Sequence, residues 1–382
     1  MPEAPLIELG AIGLLFIGLF VLSWFLQRNR VPALLGFMVA GLLAQDLTPS
    51  LLAPIFPVIG EVAVWLLFFF VGLEYSPEHL GRMSRSIARP GLIDLGCNFG
   101  VITLAALWVS TPVEALLLGS ALYPSSTAIV ARLLLDYSRL ASIEAELLLG
   151  LLIFEDIVGV TLLGLLTPLS QGQEMSWLSL LRIVGAFIGT GGVFWIVYRW
   201  GLPWLQRNLP SLPDEPSTVF LTLGLVLGVG AAGHAIGLSG ALTAFLLGVL
   251  LPEESELYRV AERSLGPIRE LSVGLFFFAL SYTVQIERLP VQIGMEWFGL
   301  SLLLKGASTF WAARIWGLQP RTALRAALSF LPKGEFSLLF GALSILWREV
   351  ILSVVLASSL FGTLIFSYAP KIAERIYPRK GI

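Results

Sequence analysis

Gly119-Ser-Ala-Leu-Tyr-Pro-Ser-Ser-Thr-Ala-Ile-Val-Ala-Arg132 and Ala326-Ala-Leu-Ser-Phe-Leu-Pro-Lys-Gly-Glu-Phe-Ser337 each place a proline among small polar residues inside a longer apolar run. Proline has no N–H to donate and its ring clashes with the preceding turn, so a helix stops at Pro124 and at Pro332. The apolar residues on either side are helix-forming, so each stretch reads as one helix interrupted near its middle.

The composition says where such helices lie. Of 382 residues, 56% are hydrophobic and 13% charged, with a mean hydropathy of +0.85. A soluble domain carries about 25% charged residues. A water-facing surface cannot be built at half that level, which excludes a soluble enzyme, a disordered chain and a nucleic-acid-binding protein. One cysteine, Cys97, and two histidines, His79 and His234, leave no intramolecular disulfide and no zinc or haem centre, and no cofactor is expected. The start of the chain lacks the positive region of a signal peptide, so its first apolar run is expected to remain as a span. No hydrophilic stretch is long enough for a soluble domain. The whole chain, 1–382, reads as a single membrane transport domain.

A spanning helix needs roughly 20 apolar residues. That window gives thirteen candidate spans, near 8–26, 31–46, 58–74, 91–109, 114–135, 144–168, 178–199, 217–234, 237–252, 268–283, 291–317, 321–346 and 349–368. The distribution of basic residues tests the count independently, because cytoplasmic loops collect Lys and Arg. With the N-terminus outside and the C-terminus cytoplasmic, 19 of the 24 basic residues fall inside, from Arg28 and Arg30 to Arg379 and Lys380. Only Arg182, Arg288 and Arg348 fall outside, and Lys305 and Lys333 remain at membrane depth. The interrupted helices are then spans five and twelve, each second to last in a six-span half around span seven. By parity they enter the membrane from opposite sides. A pair of broken helices at matching positions of two inverted halves marks a secondary transporter, with its site at the breaks. The expected architecture is an all-α polytopic membrane protein with two inverted six-helix repeats and crossed discontinuous helices.

An ionisable group at bilayer depth costs at least ~2.5–3.5 kcal/mol on insertion scales, so each needs a reason. Glu155 and Asp156 sit mid-span in Leu148-Leu-Gly-Leu-Leu-Ile-Phe-Glu-Asp-Ile-Val-Gly159. Successive residues point about 100° apart on a helix, so the two carboxylates cannot face one partner: either one faces a cation path and the other a neighbouring helix, or the pair caps a helix end at the interface. Lys305 either snorkels to the interface or pairs with Glu155, since an unpaired buried amine would lose its proton. Lys333 and Glu335 flank Gly334 at the second break. They either neutralise the half-helix dipoles, lysine at the carbonyl end and glutamate at the amide end, or touch the ion directly. Ser125, Ser126 and Thr127 at the first break are either hard oxygen ligands for a dehydrated alkali cation or close-packing small residues. Glu61, Glu74, Asp94 and His234 lie nearer span ends and are weaker candidates. The tryptophans, many near span ends, form an aromatic belt.

These segments together resemble the bacterial monovalent cation:proton antiporters, in the branch of the Kef-type potassium and Nap-type sodium exchangers. The resemblance runs through Val31-Pro-Ala-Leu-Leu-Gly-Phe-Met-Val-Ala-Gly-Leu, Leu67-Phe-Phe-Phe-Val-Gly-Leu-Glu74, Ser125-Ser-Thr-Ala-Ile and Gly334-Glu-Phe-Ser337. It implies that Asp156 binds cation and proton in turn. It also implies that Lys305 matches the lysine paired with the preceding acid in electrogenic members, although Glu155 is not the residue usual there. A moving core of spans 91–168 and 291–368, a scaffold of spans 8–74 and 217–283 that forms a homodimer, and a linker helix at 178–199 follow from the same likeness. No soluble regulatory domain is expected, and the location is the plasma (inner) membrane. The substrates would be H⁺ and Na⁺ or K⁺, with Na⁺ favoured. A cation channel and an organic-anion transporter on the same scaffold are the rival readings, and membrane enzymes find no nucleophile–base set.

Overall fold

The computed structural model describes residues 4–28, 33–44, 55–73, 77–171, 215–235, 240–251, 265–282 and 290–378, with isolated positions between 185 and 263. All regular structure among them is helical: α1 (Ala4–Arg28), α2 (Ala33–Ala44), α3 (Ile55–Leu73), α4 (Pro77–Leu95), α5 (Val101–Ala106), α6 (Pro112–Leu122), α7 (Thr127–Asp136) and α8 (Ile143–Ser170), then α9 (Glu215–Ala235), α10 (Gly240–Leu250), α11 (Gly266–Tyr282), α12 (Val291–Ile315), α13 (Pro320–Ser329), α14 (Glu335–Leu343) and α15 (Arg348–Ile376). A π-helical turn, Gly96–Gly100, joins α4 to α5. The span predicted at 178–199 lies outside the described residues save for isolated positions. Among the described residues two helices, α8 and α15, are each long and apolar enough to cross a membrane.

Both interruptions fall where the prolines put them. Thr111 caps α6 and Pro112 occupies its first position, where a missing N–H is harmless. The helix ends at Leu122, and helical structure resumes at Thr127. The second pair, α13 and α14, is separated by Phe330–Gly334. The chain separates into two compact units, residues 1–48, 83–159 and 280–382 in one and 49–82 and 160–279 in the other.

In the second unit α3, α9 and α10 pack together around Leu66, Phe69, Phe70, Val226 and Ala244. Helices α3 and α10 approach so closely that a Cβ on Gly72 would lie 3.0 Å from the Gly248 Cα. Small residues at a crossing let helices gain contact in lipid, where apolar burial supplies no drive. In the first unit α12, α13 and α15 pack on one another and α6 packs on α5 and α14. Large apolar side chains face outward here, Leu303 at 70% and Trp108 at 90% exposure. A helix that is apolar outside as well as inside suits a hydrocarbon solvent.

Candidate functional site

The breaks of the first unit meet each other. Ser126 N–H donates to the Pro332 carbonyl at 2.8 Å, and Ser125 Oγ donates to the Phe330 carbonyl at 3.0 Å. The second break is also held by α15, where Ser359 Oγ donates to the Lys333 carbonyl at 2.7 Å and Ser358 Oγ accepts from Lys333 N–H at 3.3 Å. Backbone groups released by a broken helix have no water to turn to in a membrane, so such partners are obligatory. The approach is close: a Cβ on Gly334 would stand 2.5 Å from the Ser126 Cβ, so a side chain there would push the breaks apart.

Beside this contact lies a fully buried ionic centre. The Lys305 ammonium donates to Asp94 Oδ2 at 2.9 Å, to the Tyr123 carbonyl at 3.1 Å and to Glu155 Oε1. An ammonium has three N–H donors, and all three are taken. The rings of Phe330 and Tyr123 lie 4.8 and 5.3 Å from its nitrogen, adding cation–π attraction. Both carboxylates are tied down on their other oxygens. Glu155 Oε2 accepts Ser125 N–H at 2.5 Å. Asp94 Oδ1 accepts Ser308 Oγ at 2.6 Å and Asn98 Nδ2 at 2.9 Å. Asn98 stands in the π-helical turn, one turn beyond Asp94.

Lys333 is 1% exposed, and its Nζ also donates to the Tyr123 carbonyl, at 3.1 Å. That carbonyl belongs to the C-cap residue of α6, at the negative end of the helix dipole. Two lysine Nζ atoms therefore converge on one carbonyl oxygen.

Asp156 points elsewhere. It is 1% exposed, and Thr127 Oγ1, at the first residue of α7, lies 3.2 and 3.3 Å from its two oxygens. The helical rotation between neighbouring residues thus separates a carboxylate locked by a lysine from one met by a hydroxyl.

Further polar ties hold the far ends of the broken helices. Buried Glu144 takes Arg325 of α13 at 2.5 Å and Arg139, in the turn after α7, at 3.2 Å. Arg139 also donates to Ser329 Oγ at 2.9 Å and stacks over Phe366 at 4.5 Å. At the other end, Glu114 of α6 accepts Ile345 N–H at 3.1 Å and Ser344 Oγ at 2.5 Å.

Of the residues singled out in the sequence, Ser125, Ser126, Thr127, Glu155, Asp156, Lys305 and Lys333 gather around the crossing. The side chains of Glu335, Glu74 and His234 lie outside the described residues, and Glu61 is exposed. Asp94 is the residue whose importance the sequence understated. Its position near a span start made it look interfacial, yet it is wholly buried and shares Lys305. Asp94 and Asn98, four residues apart and flanked by Leu and Phe, were the available signal: polar groups one helical turn apart share a face.

With this geometry in view, the chain matches the transmembrane sodium/hydrogen exchanger family over residues 13–370. It is 30% identical to the ammonium/H⁺ antiporter subunit AmhT of Alkalihalophilus pseudofirmus, covering 98% of this chain and 96% of that one. It is 28% identical to the K⁺/H⁺ antiporter subunit KhtU of Bacillus subtilis, over 87% of this chain and 83% of that one. The glutathione-regulated potassium-efflux protein of Haemophilus influenzae is 27% identical over 92% of this chain, which spans 59% of it. In structure, the sodium proton antiporter MjNhaP1 of Methanocaldococcus jannaschii superposes with a TM-score of 0.68 at 16% identity, covering 98% of this chain and 99% of that one. The chain belongs to the sodium/hydrogen exchanger family, has the fold of that antiporter and is an integral membrane protein.

Proposed function

We propose that the protein is a secondary antiporter that exchanges a monovalent cation for H⁺, with both competing for Asp156. The observation that carries this reading is the division of labour on α8. Glu155 is saturated by Lys305 and the Ser125 amide, whereas Asp156 is buried beside a hydroxyl at the break where helix ends meet. Ionised, Asp156 supplies hard oxygen ligands to a dehydrated cation together with Thr127 and the hydroxyls of Ser125 and Ser126. Protonated, it has lost the charge that binds the cation and returns carrying H⁺.

Lys305 keeps its proton through the cycle. Deprotonating it would leave two carboxylates, Asp94 and Glu155, side by side without a counter-charge, and like charges at such range cannot both stay ionised. One cation then moves against one proton, electroneutrally. This departs from the electrogenic type that the Glu155–Lys305 pairing by itself suggests, and Asp94 is the reason. Lys333 serves the dipole of the facing half-helix.

Access alternates as the core spans carry the site past the scaffold spans in an elevator-type movement, in a homodimer with its N-terminus outside and C-terminus cytoplasmic. The related antiporters point to K⁺ and NH₄⁺ as substrates to set beside Na⁺.

The test is purified protein in liposomes with a trapped pH dye, given Na⁺ or K⁺ steps with and without a clamped potential. Ammonium leaves its proton outside, crosses lipid as NH₃ and takes up protons within, which disturbs the dye, so it is assayed by competition with labelled Rb⁺ uptake. Proton flux driven by a cation and indifferent to potential is the expected result. Lowering the pH should weaken apparent cation affinity, because one proton competes for one site. Flux without proton coupling would instead favour a channel.

A further inference from the structure

A cavity of about 860 Å³ lies away from the crossing, between the N-terminal ends of α12 and α15, with Trp297, Trp347, Glu296, Glu349, Leu300 and Ile345 in its wall. Its size falls in the range of ligand sites. Three features of the wall bear on what it holds. The two carboxylates carry no ion pair among the described residues. The indoles of Trp297 and Trp347 meet edge to face at 5.6 Å, presenting ring surface that attracts cations. Trp347 is 6% exposed, and its indole N–H has no hydrogen-bond partner among the described residues, a costly arrangement unless an acceptor arrives.

We propose that this cavity binds an aminophospholipid: its ammonium sits between Glu296 and Glu349 against the indole faces, and its phosphate accepts the Trp347 N–H. The levels along the helices fit a lipid standing in its leaflet. Glu349 is the second residue of α15, and Glu296 lies about 7.5 Å into α12, both near the ends of predicted spans. Leu300 lies one turn deeper, below the carboxylates, where an acyl chain begins. Ile345, 89% exposed, opens one side to surrounding hydrocarbon. A phosphatidylglycerol headgroup would put anion against carboxylate without an ammonium, and a choline headgroup has no N–H to donate.

The experiment is native mass spectrometry of the full chain titrated with phosphatidylethanolamine, phosphatidylcholine and phosphatidylglycerol of equal acyl chains. Phosphatidylethanolamine should be retained about tenfold more strongly than phosphatidylglycerol, as charge-assisted hydrogen bonds would give. The preference should vanish in a Glu296→Gln, Glu349→Gln double variant, and retention of all three lipids should weaken severalfold in Trp347→Phe, with unchanged melting. Should the double variant melt early, Glu349→Gln by itself decides. Equal or stronger retention of phosphatidylglycerol, a preference that survives the substitutions, or ethanolamine binding as well as the lipid would each overturn the proposal.

Discussion

Glu155 and Asp156 are adjacent in sequence, equally buried, and live in different chemistry. The Glu155 side of α8 is closed: carboxylate, ammonium, amide and a second carboxylate satisfy each other's donors and acceptors. The Asp156 side offers a carboxylate and a hydroxyl at a helix break. A saturated buried ion pair adds rigidity at a desolvation cost, while a carboxylate with hydroxyl neighbours retains the capacity to exchange one cation for another. On the proposed mechanism, stability and transport fall to the two faces of one helix turn.

The comparison breaks most sharply at Asp156. Asp156→Asn should reduce cation-dependent proton flux by at least a hundredfold in the liposome assay with little change in melting, and residual coupled exchange would remove Asp156 from the mechanism. On the other face the effect should fall on stability. Lys305→Met strands Asp94 and Glu155 and should cost about 3–5 kcal/mol, the range for breaking a buried pair, read from thermal unfolding in detergent. A triple variant, Asp94→Asn, Glu155→Gln, Lys305→Met, removes all three charges and should recover most of that loss. A stable single Lys305→Met would dissolve the distinction between the faces.

Smaller effects sharpen it. Glu144→Gln leaves Arg139 and Arg325 facing each other without a carboxylate and should lower stability by about 2 kcal/mol, near the cost of an unsatisfied buried partner. The charge-reversed pair Glu144→Arg, Arg325→Glu should restore part of it, and failure to do so would make the contact incidental. Smallest is Thr127→Val, which removes one hydroxyl, worth about 1 kcal/mol. It should raise the apparent KM for the cation about fivefold with kcat nearly unchanged, whereas a loss confined to kcat would place Thr127 outside the cation site.

Much of this was legible in one dimension. Pro124 and Pro332 mark breaks because small polar residues surround them within apolar runs, whereas Pro90, Pro168 and Pro370 lie inside helices, and Glu155, Asp156 and Lys305 are conspicuous because charges are expensive mid-span. The role of Asp94 was hidden, since its partners Lys305 and Ser308 are more than two hundred residues away. Glu144, Arg139 and Arg325 read as ordinary charges near span ends, because nothing local shows that the ends of two broken helices converge.

The amino-acid sequence by itself determined the solvent this chain requires, the points where its helices break, and the presence of two acids and a lysine at bilayer depth, because composition, proline chemistry and the cost of buried charge act locally. Tertiary structure alone decided which acid the lysine holds, that Asp94 shares it, and that Asp156 meets Thr127. Those choices depend on which helices come to lie side by side, and ion pairs a few ångströms long are set by that packing.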